Sequence, residues 1–441
     1  MTDTRITTVY PRDAAPGARY VEPQTIGVAV TTRVPASPAA TQAAGPELRG
    51  GLGQVILATI ASTVGFWAWM SIAPLQNIYA QQMGLDQGQI SIMLAMPVLV
   101  GALGRIVVGA MTDRFGGRRM FTLVLLASVP AVLLVALAGS IGSYPLLLVA
   151  GFLLGVAGTI FAVGIPFSSA WFPASQRGLA NGIFGMGMIG TAVSAFATPR
   201  LAEGIGYLPT HLLIAAVVVV VAIVVWFFLR ESPVWQSSHQ PLVPKVMGAL
   251  RLAVTWQMSF LYAIVFGGFV AFSTYLPKYL LTIYPGEVDA VGAGTRTALF
   301  AAAAVVARPI GGVLADRFGP KVISLISLAG IVATAYVVGQ QPPEGVLTGV
   351  VFLLMASAMG LGMGAVFAWV GPSTPPDKVG AVTGVVAAAG GLGGYFPPLV
   401  MGATYHADTN SYALGLWLLV LVGAGALVVA GMLRDARASK S

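Results

Sequence analysis

Two stretches of this chain have almost the same sequence and lie 203 residues apart. The first reads Arg105-Ile-Val-Val-Gly109-Ala-Met-Thr-Asp113-Arg114-Phe115-Gly116, and the second reads Arg308-Pro-Ile-Gly-Gly312-Val-Leu-Ala-Asp316-Arg317-Phe318-Gly319. Arg, Gly, Asp, Arg, Phe and Gly occupy the same offsets in both. In a chain of 441 residues, this period indicates two homologous halves rather than a solenoid.

In each stretch the first Arg lies within an apolar run, eight residues before the Asp. We call residues 113–116 and 316–319 the Asp-Arg-Phe-Gly turns and expect them at a membrane surface. Eight helical residues then place the Arg about 12 Å deep. A hydrocarbon core is about 30 Å thick, so Arg105 and Arg308, the arginine pair, are predicted to lie near its middle.

The composition is that of a polytopic membrane protein, with 57% hydrophobic and only 9% charged residues, whereas soluble proteins carry about 25% charged residues. The absence of cysteine excludes disulfides and thiolate metal sites. His211, His239 and His406 are scattered and are interpreted as loop or helix-end residues. No nucleophile–base set and no metal ligand cluster stands out. We therefore expect no enzyme, no cofactor and no nucleic-acid partner, but a monomer in a lipid bilayer.

Twelve apolar spans follow one another from about residue 52 to residue 433, each long enough to cross a bilayer. Six of them fall on each side of the longest internal loop. The predicted segments are a disordered tail at 1–50, six spans in 51–230, a linker at 231–254, six spans in 255–434 and a tail at 435–441.

The distribution of Lys and Arg predicts the orientation. Arg200, Lys278 and Arg296 lie on one side, and Arg105 and Arg308 lie within spans. The other 18 of the 23 basic residues fall on the opposite side, in both tails and in the loops after even-numbered spans. Both termini and both Asp-Arg-Phe-Gly turns are therefore expected to face the cytoplasm.

The arginine pair has no evident counter-ion in the sequence, because none of the fifteen Asp and Glu residues falls in the middle of a span. A buried Arg in a membrane is costly unless it is paired or faces water. The pattern predicts that an anionic substrate supplies the missing charge. Two forked donors suit a small planar oxyanion. The alternative is that each Arg binds backbone carbonyls in a structural role.

A second repeat begins spans five and eleven, where Gly178-Leu-Ala-Asn-Gly182 matches Gly380-Ala-Val-Thr-Gly384. Each sequence leads into a glycine-rich run. The glycines singled out as candidate substrate contacts are Gly185, Gly187, Gly391 and Gly393. Small residues also let transmembrane helices approach each other closely, so helix packing remains an equally good interpretation of these runs.

The Asp-Arg-Phe-Gly turns resemble the signature loop of the major facilitator superfamily. This resemblance implies an all-α membrane protein with twelve transmembrane helices in two pseudo-symmetric six-helix bundles, which work by alternating access. It also implies a gating role for Asp113, Arg114, Asp316 and Arg317 as charged latches at helix ends.

Together with the arginine pair, Trp171-Phe-Pro, Gly178–Gly182 and the glycine runs resemble the nitrate/nitrite porter family over residues 51–433. The resemblance implies that Arg105 and Arg308 clamp the anion and that Phe161 and Tyr262 sandwich it. The chain departs from the family in one respect. An Asn is usual in each glycine run, whereas Met188 or Ile189 and Gly391 or Leu392 stand here.

The expected function is transport of nitrate or nitrite across the plasma membrane, with nitrate/nitrite exchange favoured. Proton-coupled nitrate symport is the alternative, although no carboxylate or His lies mid-membrane to carry the proton. A carrier of small carboxylates and an anion sensor are further alternatives. A proton-driven drug exporter is disfavoured because it needs a buried acid. The sequence leaves transport direction and stoichiometry open.

Overall fold

The computed structural model describes residues 51–173, 177–237, 242–375, 378–409 and 411–433. The predicted tails at 1–50 and 435–441 lie outside the described residues. Within the described part, twelve helices are long and apolar enough to cross a membrane, as predicted. We number them spans 1 to 12: Gly51–Met83, Gln87–Phe115, Gly117–Ile141, Tyr144–Ala170, Ala180–Ile205, Tyr207–Phe228, Ala253–Ile283, Ala290–Phe318, Pro320–Gly339, Val346–Ser373, Val379–Ala403 and Ala413–Met432.

Four spans are interrupted along their length. Span 1 consists of the helices Gly51–Trp69 and Gln76–Met83, with a 3-10 turn at Ala73–Leu75 between them, and span 4 consists of the helices Tyr144–Gly158 and Ile160–Ala170. In span 5 a 3-10 turn at Met186–Ile189 separates the helix Arg177–Gly185 from the helix Gly190–Ile205. Span 11 consists of the helices Val379–Gly393 and Phe396–Ala403. Glycine weakens helices, and proline cannot donate to the helical hydrogen-bond ladder. The glycine runs of spans 5 and 11 thus coincide with two of the four interruptions.

The predicted linker at 231–254 is not loop throughout, because it contains the helix Leu242–Leu250. Two side chains at the start of span 7 donate to carbonyls near the end of this helix. Thr255 Oγ1 lies 2.7 Å from the Ala249 oxygen, and Trp256 Nε1 lies 2.8 Å from the Leu250 oxygen. These bonds fix the helix to span 7, a tertiary contact that the local sequence pattern does not reveal.

Trp69 joins spans 1, 2 and 4 in the first half of the chain. Its indole is buried, and Nε1 donates to the Pro97 carbonyl at 2.9 Å. Gly101 and Gly158 flank the ring so closely that a Cβ atom at either position would lie 2.9 Å or 2.6 Å from indole atoms. Glycine at these two positions is therefore a packing requirement.

We predict that Gly158→Ala lowers the thermal stability of the protein in detergent or lipid. The new methyl group would meet a rigid indole, and overpacking of this kind costs about 1–3 kcal/mol. Gly204→Ala is the matched control, because a Cβ atom at this helical glycine meets nothing within 4 Å. The measurement is the unfolding midpoint of both variants. Equal midpoints for the two would contradict the packing role of Gly158.

The two halves of the chain pack through equivalent pairs of spans. Span 2 packs on span 11, and span 8 packs on span 5. Arg105 is on span 2 and Arg308 is on span 8, so each arginine faces a glycine run of the opposite half. This arrangement brings the two repeated motifs of the sequence to a common centre.

Candidate functional site

The arginine pair lies at the centre of the molecule, where Arg105 is 2% exposed and Arg308 is 6% exposed. Each side chain contacts the opposite half of the chain. Arg105 Nη1 donates to the Ala387 carbonyl of span 11 at 3.0 Å. Arg308 Nη1 lies 2.7 Å from Met188 Sδ of span 5. The two guanidinium groups thus approach one region from opposite sides.

Phe161 lies within reach of both guanidinium groups. Its ring centroid is 5.5 Å from Arg105 Cζ and 5.0 Å from Arg308 Cζ. Distances below about 6 Å allow a cation–π attraction, which is stronger in a dry site than at a surface. Phe161 is buried and is the second residue of the helical segment Ile160–Ala170 of span 4. The interruption at Thr159 therefore sets the position of this ring.

Tyr262 and Phe266 lie one turn apart on span 7 and stack at 5.1 Å between centroids. The Phe266 ring centroid lies 6.3 Å from the Phe161 ring centroid and 5.0 Å from Arg105 Cζ. Phe367 of span 10 meets the Tyr262 ring at 4.6 Å and lies 5.9 Å from Arg308 Cζ. The structure thus places the predicted residues Phe161 and Tyr262 beside the arginine pair. Phe161, Tyr262, Phe266 and Phe367 together form an aromatic wall beside the arginine pair.

Several strong donors in this region are buried and have no hydrogen-bond partner among the residues that the structure describes. They are Arg105 Nε, Arg105 Nη2 and the Tyr262 hydroxyl. None of the ion pairs among described residues involves Arg105 or Arg308. Buried donors, and charged ones above all, are normally satisfied because leaving them unpaired is costly. The site therefore combines positive charge with unused donors directed at a small volume, an arrangement suited to an anion.

The halves are also hydrogen-bonded to each other on the side away from the Asp-Arg-Phe-Gly turns. Ser91 Oγ of span 2 lies 3.4 Å from the Tyr275 hydroxyl of span 7. Arg200 Nη2 of span 5 donates to Thr295 Oγ1 of span 8 at 2.7 Å. The Tyr412 hydroxyl, just before span 12, donates to Gln87 Oε1 at 3.2 Å. These contacts close one end of the molecule over the arginine pair.

Comparison with known proteins bears on the fold first. The family model described as Major Facilitator Superfamily matches residues 55–398 and, in a second match, residues 280–441. The chain belongs to the major facilitator superfamily. The predicted fold, twelve helices in two pseudo-symmetric bundles, is thereby confirmed, and the family is one of transporters rather than enzymes.

Curated relatives of this major facilitator are named for nitrate and nitrite. A probable nitrate/nitrite transporter, NarK2 of Mycobacterium tuberculosis H37Rv, is 53% identical over 85% of this chain and 94% of its own length. The nitrite extrusion protein of Bacillus subtilis 168 is 34% identical over 85% and 93%. A bacterial homologue of the lysosomal transporter Spinster shares the fold, with a TM-score of 0.65 at 17% identity, covering 87% of this chain and 96% of that structure.

The glycine runs of this major facilitator divide into two kinds of position. A Cβ atom at Gly185 would lie 3.4 Å from Arg308 Cζ, so Gly185 faces the arginine pair. One at Gly391 would lie 2.7 Å from Ala102 Cβ of span 2 and 3.5 Å from Arg105 Nη1, so Gly391 serves helix packing as well as lying beside the arginine pair. Gly187 instead packs against Ser62 of span 1, and Gly393 against Ala263 of span 7. The packing interpretation of Gly187 and Gly393 therefore has direct support in the structure, whereas a substrate contact at these two positions stays a prediction.

The predicted gating residues lie at the last turns of spans 2 and 8, as the repeat requires. Asp113 and Asp316 both have interaction partners there. Arg114 places its guanidinium carbon 5.4 Å from the Phe115 ring, and Arg317 places its own 5.3 Å from the Phe318 ring. The Arg and Phe side chains of the two turns thus have the same arrangement in both halves.

Glu231, which follows span 6, contacts the first Asp-Arg-Phe-Gly turn and was not predicted from the sequence. Its Oε1 accepts from the Arg118 backbone N–H at 2.7 Å, at the N-terminus of span 3. Gly116 has a φ of +87° and leaves the space that this carboxylate occupies. In the second half, Lys321 Nζ donates to the Gly431 carbonyl at 2.8 Å, near the C-terminus of span 12. Both contacts pair a charge with the helix end that favours it.

The histidines give no metal site among the described residues, where no group of three potential ligands occurs. His211 was interpreted as a loop or helix-end residue. It lies in the second turn of span 6 and is fully buried, with Nδ1 3.0 Å from the Tyr207 carbonyl oxygen. His239 lies outside the described residues.

We predict that Glu231→Ala slows transport severalfold and leaves substrate affinity unchanged. The carboxylate fixes the first Asp-Arg-Phe-Gly turn, far from the arginine pair, and a charge at a helix end contributes about 0.3–2 kcal/mol. The measurements are transport rate in liposomes and equilibrium binding. Glu203→Ala removes an exposed acid at the opposite end of the molecule and serves as control. Weakened binding in Glu231→Ala would contradict this separation of roles.

Proposed function

We propose that this major facilitator transports nitrate and nitrite across the plasma membrane by alternating access. The observation that supports this most directly is the arginine pair, whose guanidinium groups come from opposite halves and share one aromatic ring. The relatives named for nitrate and nitrite, up to 53% identical, support the same substrates. We place the Asp-Arg-Phe-Gly turns and both termini in the cytoplasm and expect a monomer in the bilayer.

The geometry suits a small planar oxyanion. A guanidinium presents parallel N–H donors that match two oxygens of such an anion, and Arg105 retains Nε and Nη2 without partners. The Tyr262 hydroxyl is a further unused donor beside it. The faces of Phe161 and Phe266 attract the guanidinium cations, whereas ring edges carry the partial positive charge that faces an anion. The glycines at 185 and 391 keep this volume free of side chains.

Exchange of one anion for another follows from the charge of the site. Without an anion, two buried cations face each other, and closing the halves around them is opposed by their repulsion and by desolvation. A bound monoanion offsets part of this charge, so the loaded carrier reorients more readily than the empty one. We therefore propose nitrate/nitrite exchange as the transport mode, with proton-coupled nitrate symport as the alternative outcome.

The first prediction from this proposal concerns the arginine pair. Arg105→Lys and Arg308→Lys keep the positive charge but lose the planar fork, so each should reduce nitrate binding and transport to near background. The measurements are nitrate binding to purified protein and uptake into liposomes. Arg251→Lys is the control, because Arg251 is exposed between spans 6 and 7.

The variants must be folded for this test, which is checked by their unfolding midpoints. A folded Lys variant with wild-type nitrate uptake would remove the corresponding arginine from the site. If small carboxylates are transported as well as nitrate by the unaltered protein, the substrate class is broader than proposed.

The second prediction concerns coupling. Arginine stays protonated at physiological pH, and no Asp, Glu or His lies in the middle of a described span. Nitrite inside liposomes should therefore accelerate nitrate uptake strongly, and the rate should change little between about pH 6 and 8. Uptake into nitrite-free liposomes that rises steeply as external pH falls, together with proton uptake, would show symport instead.

A further inference from the structure

The thioether of Met188 contacts one of the N–H donors of the arginine pair, Nη1 of Arg308. Met188 is fully buried in the 3-10 turn Met186–Ile189, at the middle of span 5. Its Sδ lies 2.7 Å from Arg308 Nη1, and Arg308 belongs to the other half of the chain. The contact therefore joins the two halves inside the site.

The two arginines contact different kinds of acceptor. Arg105 Nη1 binds the Ala387 carbonyl, which belongs to the helical backbone of span 11 and is fixed in place. Arg308 Nη1 faces a thioether, which is a weak, uncharged acceptor on a side chain with three rotatable bonds. Arg105 also keeps two buried nitrogen donors without partners. An anion can thus bind Arg105 directly but competes with sulfur for Arg308 Nη1.

Gly185 provides space next to this contact. It precedes Met188 by three residues, and residues at this spacing lie one above the other in a 3-10 turn. A Cβ atom at Gly185 would lie 3.4 Å from Arg308 Cζ, so the missing side chain leaves room beside the guanidinium. At position 185 there is thus no side chain to obstruct a movement of the thioether.

We propose that Met188 is an internal competitor of the anion. Its thioether binds Arg308 Nη1 when no anion is bound and rotates away when the anion arrives. The anion engages Arg105 first and Arg308 second, and Met188 sets the affinity of the second step. This inference rests on the proposed anion transport and adds the residue that tunes it.

The test is nitrate binding to Met188→Leu by titration calorimetry in lipid nanodiscs. Leucine is close to methionine in volume but has no acceptor, so the competitor is lost and the Kd for nitrate should fall about threefold to tenfold. Met186→Leu is the matched control. Met186 belongs to the same turn but is 40% exposed, and its replacement should leave the Kd unchanged.

A second measurement uses the unaltered protein and does not depend on the stability of Met188→Leu. Methionine methyl groups are labelled with carbon-13, and the Met188 and Met186 signals are identified by their loss in Met188→Ile and Met186→Leu. Adding nitrate should shift the Met188 signal and leave the Met186 signal in place.

An equal or higher Kd in folded Met188→Leu, or a Met188 signal that nitrate does not move, would overturn the role of Met188 alone. If the unaltered protein binds neither nitrate nor nitrite, both this inference and the proposed function are wrong. The two failures are therefore distinguishable.

Discussion

The arrangement of this molecule depends on two buried guanidinium groups that have no carboxylate partner in the described part of the chain. Such groups are tolerated only where the protein supplies acceptors, aromatic faces or access to an anion. The structure supplies a backbone carbonyl to Arg105, a thioether to Arg308 and the Phe161 ring to both. The glycine runs of spans 5 and 11, the interruption of span 4 and the aromatic wall all lie around these groups.

The two halves are pseudo-symmetric in their backbone, but the groups that contact Arg105 and Arg308 differ between the halves. The repeated motifs place Arg105 and Arg308 at equivalent positions, but their acceptors are not equivalent. The same is true of the Asp-Arg-Phe-Gly turns, where a carboxylate binds the start of span 3 and an ammonium group binds the end of span 12. A duplicated fold thus keeps its backbone frame while each half acquires its own polar contacts.

Much of the fold and part of the site could be predicted from the sequence. Apolar length sets the twelve spans, and the 203-residue repeat sets the halves and the arginine pair. Phe266 is one turn from Tyr262, so helical spacing could have revealed it. The contacts of Phe367, Met188 and Glu231 could not be foreseen. They join residues from 59 to 120 positions apart, and no local pattern encodes which span faces which.

The hydrogen bonds that close the end away from the Asp-Arg-Phe-Gly turns have a further consequence. Two of them, Ser91 with Tyr275 and Tyr412 with Gln87, join uncharged groups. Each neutral bond contributes only about 0.5–1.5 kcal/mol, because water replaces the lost partner once the end opens. These two bonds together therefore oppose opening of this end by only about 1–3 kcal/mol. A ligand that favours the open arrangement by a similar free energy is enough to offset them.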